Sequence, residues 1–328
     1  MKLGIVGSGM IVREFLSFVH ELKDIECIHI SGTLRSEEKL KMLAKKYGFQ
    51  RYSTNYQDLL KDSQVDTIYI ALPNHLHYEY AKQALEHQKH VIIEKPMAST
   101  YKEAKTLQTL AIKNHLLIWE AITNQYLSQY VYIKKILNDI GNIQTVTCQF
   151  CQYSSRYDAF LKGEVLPVFD YQKSGGALMD LNIYQIHFIV GLFGEPTDVL
   201  YYPHIEKHID TSGVLIMHYP HFQCVCVSAK DYQASSVNII QGTQGSLCIE
   251  SPVSQIKDIK LIKNDGTQIN IHGHNHHVMY EEWLAFIEMF QHKDYERCYK
   301  MLEHSLTVSK IQTIARKKAG IIFPADSL

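Results

Sequence analysis

Two rhythms in a chain of 328 residues predict the fold class: α/β, with a doubly wound parallel sheet followed by an α+β domain on a large open, mostly antiparallel sheet. The length suits two domains. Up to about residue 121, short apolar runs alternate with helical patterns, as in parallel strands joined by crossover helices. Beyond about residue 123, strand-like runs follow one another with turn residues between them, as in antiparallel sheets. The domains are expected at 1–121 and 122–328.

The elements follow in order. Residues 2–6 read as a strand and 10–23 as the helix after a glycine turn. A second strand covers 26–31, and a helix over 36–47 opens on a serine cap. A third apolar run, 65–72, ends in Pro73-Asn74; helical spacing then covers 75–87, and a strand 90–94. Thr100 followed by Glu103 is a capping-box pair for a helix to about 114, and 116–121 is a further strand. In the second part a helix is expected at 125–138. Strands are expected at 142–154, 213–219, 223–230, 237–242, 246–250, 259–262 and 268–271. One helix, 177–193, interrupts them, and 279–292 and 299–318 close the chain. The turn chemistry is clearest at Asn264-Asp265-Gly266 and across 242–245.

Composition narrows the class. Hydrophobic residues make up 46% and charged residues 20%, enough apolar surface to bury a core. With 33 Lys+Arg against 34 Asp+Glu the net charge is −1, so the cationic excess of a nucleic-acid binder is missing. The tyrosines follow no basic stripe that would make a base-stacking platform. No run approaches 18 consecutive apolar residues, so no membrane span is expected. The opening residues enter strand sequence at once, without a cleavable hydrophobic segment. Seven scattered cysteines fit reduced thiols in the cytoplasm better than a disulfide framework.

Gly7-Ser8-Gly9 lies between the first strand and the first helix. Backbone without side chains there lets a pyrophosphate reach the helix N-terminus, whose amides and dipole favour anions. This position predicts a Rossmann-type dinucleotide domain, with Gly7, Ser8, Gly9, Met10 and Ile11 around the phosphates. The third motif position is Val12, where glycine or alanine eases helix–strand packing. At the end of the second strand, NAD binders usually place an acid. Here the residues are Ser31, Gly32, Thr33, Leu34 and Arg35. Ser31 and Thr33 can hydrogen-bond a phosphate and Arg35 can form a bidentate fork with one. NADP is therefore expected, with NAD the alternative.

Leu72, Pro73, Asn74 and His77 follow the third apolar strand, at the strand end where α/β sheets bind ligands. Glu94-Lys95-Pro96 follows the next. An apolar strand that delivers a lysine into a cleft offers a donor for a substrate hydroxyl and a charge to stabilise an oxyanion. Asn74, Glu94 and Lys95 are expected at the nicotinamide end. In the second domain, Asp180, Tyr184 and His187 stand at i, i+4 and i+7 after Gly175-Gly176, on one helical face.

The segments ALPNHLH, VIIEKPMA and GGALMDLNIYQIH, with the N-terminal glycine motif, resemble the glucose–fructose oxidoreductase, inositol dehydrogenase and rhizopine-catabolism family (Gfo/Idh/MocA). The resemblance implies an NAD(P)-dependent oxidoreductase acting on sugars, polyols or related alcohols, and a homodimer or higher homo-oligomer through the C-terminal sheet. Many such proteins carry histidine four residues after the aspartate. Tyr184 in that place resembles the dimeric dihydrodiol dehydrogenase subgroup, where tyrosine is the proton donor. Lys95 and Tyr184 are then the expected catalytic pair, with Asp180 and His187 at the substrate and His187 as the alternative proton carrier. A non-catalytic NADP-binding sensor and an oxidoreductase with tightly held, recycling nucleotide are the rival readings.

No metal is expected. His272, His274, His276 and His277 crowd one loop, but no cysteine or carboxylate stands at a zinc-site interval. Cys148, Cys151, Cys224 and Cys226 lie in expected strands and read as small core residues.

Overall fold

The computed structural model describes residues 1–273 and 276–327, which fall into two compact units. The first is Met1–Ala121 with Glu282–Leu306, and the second is Ile122–Glu281 with Thr307–Leu328.

In the first unit β1 (Lys2–Val6), β2 (Glu26–Ser31), β3 (Arg51–Ser53), β4 (Thr67–Ile70), β5 (His90–Glu94) and β6 (Ile118–Ala121) form one sheet in the order β3-β2-β1-β4-β5-β6. Every pairing is parallel. Strand order reverses at β1 and β4, and crevices that bind ligands form at the carboxyl ends of strands beside such a reversal. The apolar runs fill the core: Leu3, Ile5, Ile30, Ile68, Ile92 and Ile93 are fully buried.

The helices are α1 (Met10–Phe18), α2 (Glu37–Tyr47), α3 (Tyr56–Leu60), α4 (His77–Glu86) and α5 (Tyr101–Lys113). α5 carries the expected capping box: the Glu103 amide donates to Thr100 Oγ1 (3.2 Å), and the Thr100 amide donates to Glu103 Oε2 (3.1 Å). α1 is shorter than expected and continues as a 3-10 turn, Val19–Glu21. β3 and α3 escaped the periodicity, being only three and five residues long.

The 122–328 span expected as one domain is divided. α9 (Tyr280–Gln291) places Trp283 on Phe15, with ring centroids 4.0 Å apart, and Phe286 on Trp119 at 5.4 Å. α10 (Tyr295–Lys318) contributes Leu302 and Leu306 to the first core and Val308, Ile311 and Ala315 to the second.

The second unit is built on β7 (Ile143–Cys151), β8 (Asp198–Glu206), β9 (Ile209–His218), β10 (Gln223–Ala229), β11 (Asn238–Gly242), β12 (Gly245–Ile249), β13 (Asp258–Lys263) and β14 (Gln268–His272), in the order β14-β13-β12-β11-β7-β10-β9-β8. Among the described residues only β7 and β10 pair in parallel in this sheet. β8 was not expected: Pro203 and an outward row of Leu200 and Tyr202 mask its pattern, and an edge strand tolerates proline. α6 (Ser128–Ile136) and α7 (Tyr157–Leu161) accompany the sheet, and a π-turn, Leu178–Asn182, runs into α8 (Ile183–Phe193). Within the helical stretch Tyr171–Phe193 an 18-residue window has the length and composition of a membrane span, with mean hydropathy 1.3, and 72% of that window is buried.

Candidate active site

The dinucleotide cradle starts at β1. Gly7 has φ +125°, and a Cβ there would lie 2.3 Å from the Ala71 carbonyl oxygen, so the turn requires glycine. The Gly7 amide donates to the Ser31 carbonyl at 2.9 Å, joining the ends of β1 and β2. Gly9 is the N-cap of α1 and supplies no side-chain cap, which leaves the first helical amides, at Met10 and Ile11, available to an anion. Apart from its chain neighbours, no heavy atom lies within 4 Å of where a Gly9 Cβ would stand, so this side of the turn is open. Ser8 is half-buried and Met10 exposed. Val12 is fully buried, so the departure at the third motif position is absorbed by packing. A pyrophosphate fits this opening.

At the end of β2 the expected residues separate. Thr33 and Arg35 are exposed, on a 3-10 turn closed by the Thr33 amide donating to Ser36 Oγ (3.0 Å) and Ser36 Oγ donating to the Thr33 carbonyl (2.8 Å). Ser31 is fully buried. Its hydroxyl accepts from Ser53 Oγ (3.1 Å) in a chain that continues to His29 (2.9 Å) and Asp62 (3.0 Å). Ser31 therefore locks the strand ends together and does not face a phosphate. Two further cations, Lys39 and Arg13, not among the expected residues, act on one another. Burial and the nearby Arg13 charge hold the Lys39 ammonium below its usual value, and Lys39 follows Arg35 by one helical turn.

At the ends of β4 and β5, Leu72, Pro73 and Asn74 are half-buried, whereas His77 is fully buried. Its Nδ1 lies 2.8 Å from the Pro96 carbonyl and its Nε2 2.7 Å from the Leu72 carbonyl. Burial lowers its pKa. His77 thus ties the 72–74 and 94–96 loops together from inside and is not a surface ligand. Glu94 is buried and accepts from Tyr69 Oη at 2.5 Å; burial pushes its carboxyl up to about 7. Lys95 follows, half-buried, at the carboxyl end of β5.

In the second unit the stretch that carries Asp180, Tyr184 and His187 is not one regular α-helix. Residues 178–182 form a π-turn, so Asp180 sits on wider winding than the α-helix that carries Tyr184 and His187. Asp180 keeps 30% of its side chain exposed and pairs with Lys230, itself only 3% exposed. Tyr184 is half-buried, its ring centroid 6.2 Å from that of Phe150, and its carbonyl accepts from Asn124 Nδ2 at 2.7 Å. His187 is fully buried, one turn deeper in a helix with apolar residues on both sides. The glycine pair before the π-turn has a local cause: a Cβ on Gly176 would meet Asp210 Oδ1 at 2.0 Å. His274 and Asn275 lie outside the described residues; among the described residues, no group of His, Cys, Asp and Glu is placed to hold a metal.

Residues 1–122 match the GFO_IDH_MocA family model, an oxidoreductase family with an NAD-binding Rossmann fold, and residues 130–248 match the GFO/IDH/MocA C-terminal domain. The chain belongs to the GFO/IDH/MocA family. It is an NAD(P)-dependent oxidoreductase. This GFO/IDH/MocA chain is 32% identical to the scyllo-inositol 2-dehydrogenase (NADP(+)) of Bacillus subtilis (strain 168), over 99% of each chain. It is 26% identical to the trans-1,2-dihydrobenzene-1,2-diol dehydrogenase of Bos taurus, again over 99% of each. In fold it is similar to a 3-ketoreductase from Actinomadura kijaniata in complex with NADP and TDP-benzene, with TM-score 0.83 and 21% identity over 97% of each chain. A levoglucosan dehydrogenase in complex with NADH and levoglucosan has TM-score 0.84 and 16% identity, covering 98% of this chain and 97% of that one.

Proposed function

We propose that this GFO/IDH/MocA oxidoreductase is an NADP-preferring dehydrogenase or reductase of neutral polyols or sugars. The observation that carries the reading is Lys95, half-buried at the carboxyl end of β5 in the sheet that also forms the dinucleotide cradle. Preference for NADP rests on the end of β2, where no acid stands and Arg35 is exposed, with Lys39 and Arg13 close by. A scyllo-inositol dehydrogenase that uses NADP(+) among the relatives supports both the nucleotide and the polyol class.

In this proposal the amides of Met10 and Ile11 hold the pyrophosphate, and Thr33, Arg35 and Lys39 hold the adenosine phosphate. Leu72, Pro73 and Asn74 border the nicotinamide end, which His77 and Glu94 support from beneath. The bound nucleotide supplies or takes up the hydride. Tyr184 Oη takes the substrate hydroxyl proton in oxidation and returns it in reduction. The Lys95 ammonium stabilises the negative charge left on the substrate oxygen. Asp180 accepts a hydrogen bond from a second hydroxyl. Exposure favours Tyr184 over the wholly buried His187 as the proton carrier.

The open face of the second sheet is the proposed homodimer or higher-order contact. Leu200, Ile216 and Val225 lie side by side on β8, β9 and β10, as do Tyr202, Val214 and Val227. Tyr202 is 60% exposed, and an apolar face of this kind marks an interaction surface.

The test is turnover of a panel of inositols, aldoses and diols with NADP(H) and NAD(H), followed by nicotinamide absorbance. Tyr184→Phe should lower kcat by roughly 100-fold or more while leaving nucleotide affinity unchanged. Failure to bind either nucleotide, or a His187→Ala enzyme that is dead beside an active Tyr184→Phe enzyme, overturns the assignment.

A further inference from the structure

β10 carries Ser228 and, just past its end, Lys230. Two residues apart on an extended chain, their side chains leave the same side. Ser228 Oγ donates to Asn182 Oδ1, and Lys230 Nζ donates to Asp180 Oδ2. Asn182 and Asp180 are also two residues apart, both within the π-turn Leu178–Asn182. The end of the strand therefore grips the turn at two successive points. Gln185 Nε2 adds a bond to the Val227 carbonyl at 3.0 Å. From β9, Asp210 Oδ2 accepts from the Leu178 amide at 2.7 Å, fastening the first residue of the turn.

The Lys230–Asp180 pair is asymmetric. The lysine side chain is 3% exposed and the aspartate 30%, and the ammonium lies 5.1 Å from the centroid of the Phe169 ring. A buried ammonium is tolerated only with a partner, and such a pair is a poor source of net stability. What it does well is fix a carboxylate in one orientation and keep it ionised. Two further acids, Asp210 and Asp231, belong to the same region. Asp210, tied to Tyr201 Oη at 2.7 Å, is close enough for the lysine charge to act on it. Asp231 Oδ2 accepts from Thr211 (2.7 Å) and Ser212 (3.0 Å).

We propose that Lys230 is a positioning residue: it holds Asp180 as a fixed, ionised acceptor for a substrate hydroxyl and, with Ser228, sets the rotation of the π-turn that leads to Tyr184. The proposal rests on the roles given above to Asp180 and Tyr184. It deepens the substrate class as well, because a clamped carboxylate selects a hydroxyl donor and disfavours an anionic group at that position.

The test uses the full-length protein with Lys230→Met and Lys230→Arg. For the best polyol substrate, Lys230→Met should lower kcat/KM by roughly 100-fold, the scale of a misplaced reacting group. NADPH affinity should stay within about twofold, since the cradle is built from other residues. The acid limb of the kcat/KM profile should move to higher pH in Lys230→Met, because Asp180 loses its neighbouring cation. Lys230→Arg, which keeps the charge, should recover most of the activity and the original profile. Amide hydrogen exchange over residues 178–184 should quicken in Lys230→Met and stay near wild type in Lys230→Arg. Wild-type kcat/KM together with wild-type exchange in Lys230→Met overturns the proposal. So does an equal loss of activity in both variants with an unshifted pH profile, which would assign the residue to folding alone. If wild-type protein turns over no polyol or sugar with either nucleotide, the functional reading fails separately. The exchange of 178–184 then still decides whether Lys230 holds the turn.

Discussion

Glu94 links the stability of the first unit to pH, and Glu94→Gln isolates that link. The carboxyl is buried and held by Tyr69 Oη at 2.5 Å, and burial raises it from 4.5 to about 7. At about 1.4 kcal/mol for each tenfold in proton activity, this difference corresponds to about 3 kcal/mol. The sign follows from proton uptake. Between pH 4.5 and about 7 the folded state keeps its proton while the unfolded chain has lost it, so stability falls as pH rises. Below that window Glu94 costs nothing; above it the full penalty of a buried carboxylate applies, eased by the Lys95 charge beside it. Glutamine keeps an oxygen to accept from Tyr69 and has no proton to lose.

Glu94→Gln should therefore match wild type near the acid end of the window and exceed it above neutrality by about 3 kcal/mol, or roughly 4–5 °C in melting temperature for a chain of this size. Thermal melts at matched ionic strength across the window measure it. The wild-type minus variant difference is the quantity to follow, because Asp210, raised to about 6 by burial, adds its own slope to both proteins. A difference that stays constant with pH would show that Glu94 does not change protonation on folding, and would refute the reasoning.

Two further substitutions address the nucleotide site. Arg35→Ala should weaken NADPH binding by roughly 10–100-fold, the value of a charge-assisted hydrogen bond, and leave NADH binding almost unchanged; equal losses in fluorescence titrations would remove the preference for NADP. Gly9→Val should abolish binding of either nucleotide without lowering the melting temperature, since nothing lies within 4 Å of its Cβ position. Gly7→Val should lose both binding and stability, because its Cβ would strike the Ala71 carbonyl. Equal stability of the two glycine variants would refute the distinction.

What the sequence made legible was whatever local pattern determines. The βα alternation, the glycine turn and the Thr100–Glu103 box depend on neighbours in the chain, and each forms as periodicity and capping chemistry require. What stayed hidden depends on contacts across long sequence distances. His77 follows a turn rich in polar residues and reads as a ligand, yet the carbonyls of Leu72 and Pro96 enclose it. Ser31 ends a strand and reads as a phosphate contact, yet Ser53 from the adjoining β3 claims its hydroxyl. Trp283 and Phe286 signal a core but do not say which one; their stacking on Phe15 and Trp119 assigns 282–306 to the first unit.

Asp180, Tyr184 and His187 show the same rule at finer scale. Helical spacing places Tyr184 and His187 one turn apart on a regular α-helix, and Asp180 one turn earlier. What periodicity could not show is that Asp180 begins this row on a π-turn, and that Lys230 and Ser228, about 50 residues away on one side of β10, bond to that turn. In sequence, Lys230 ends the apolar alternation Cys224-Val225-Cys226-Val227-Ser228-Ala229, the usual place for a lysine to reach solvent. Only a carboxylate waiting at the far end makes burial of its ammonium tolerable, and that carboxylate is the group the substrate is proposed to meet. A buried lysine at a strand end, paired with a partly exposed aspartate on an irregular helical turn, is therefore better explained by the demands of the site than by those of the fold.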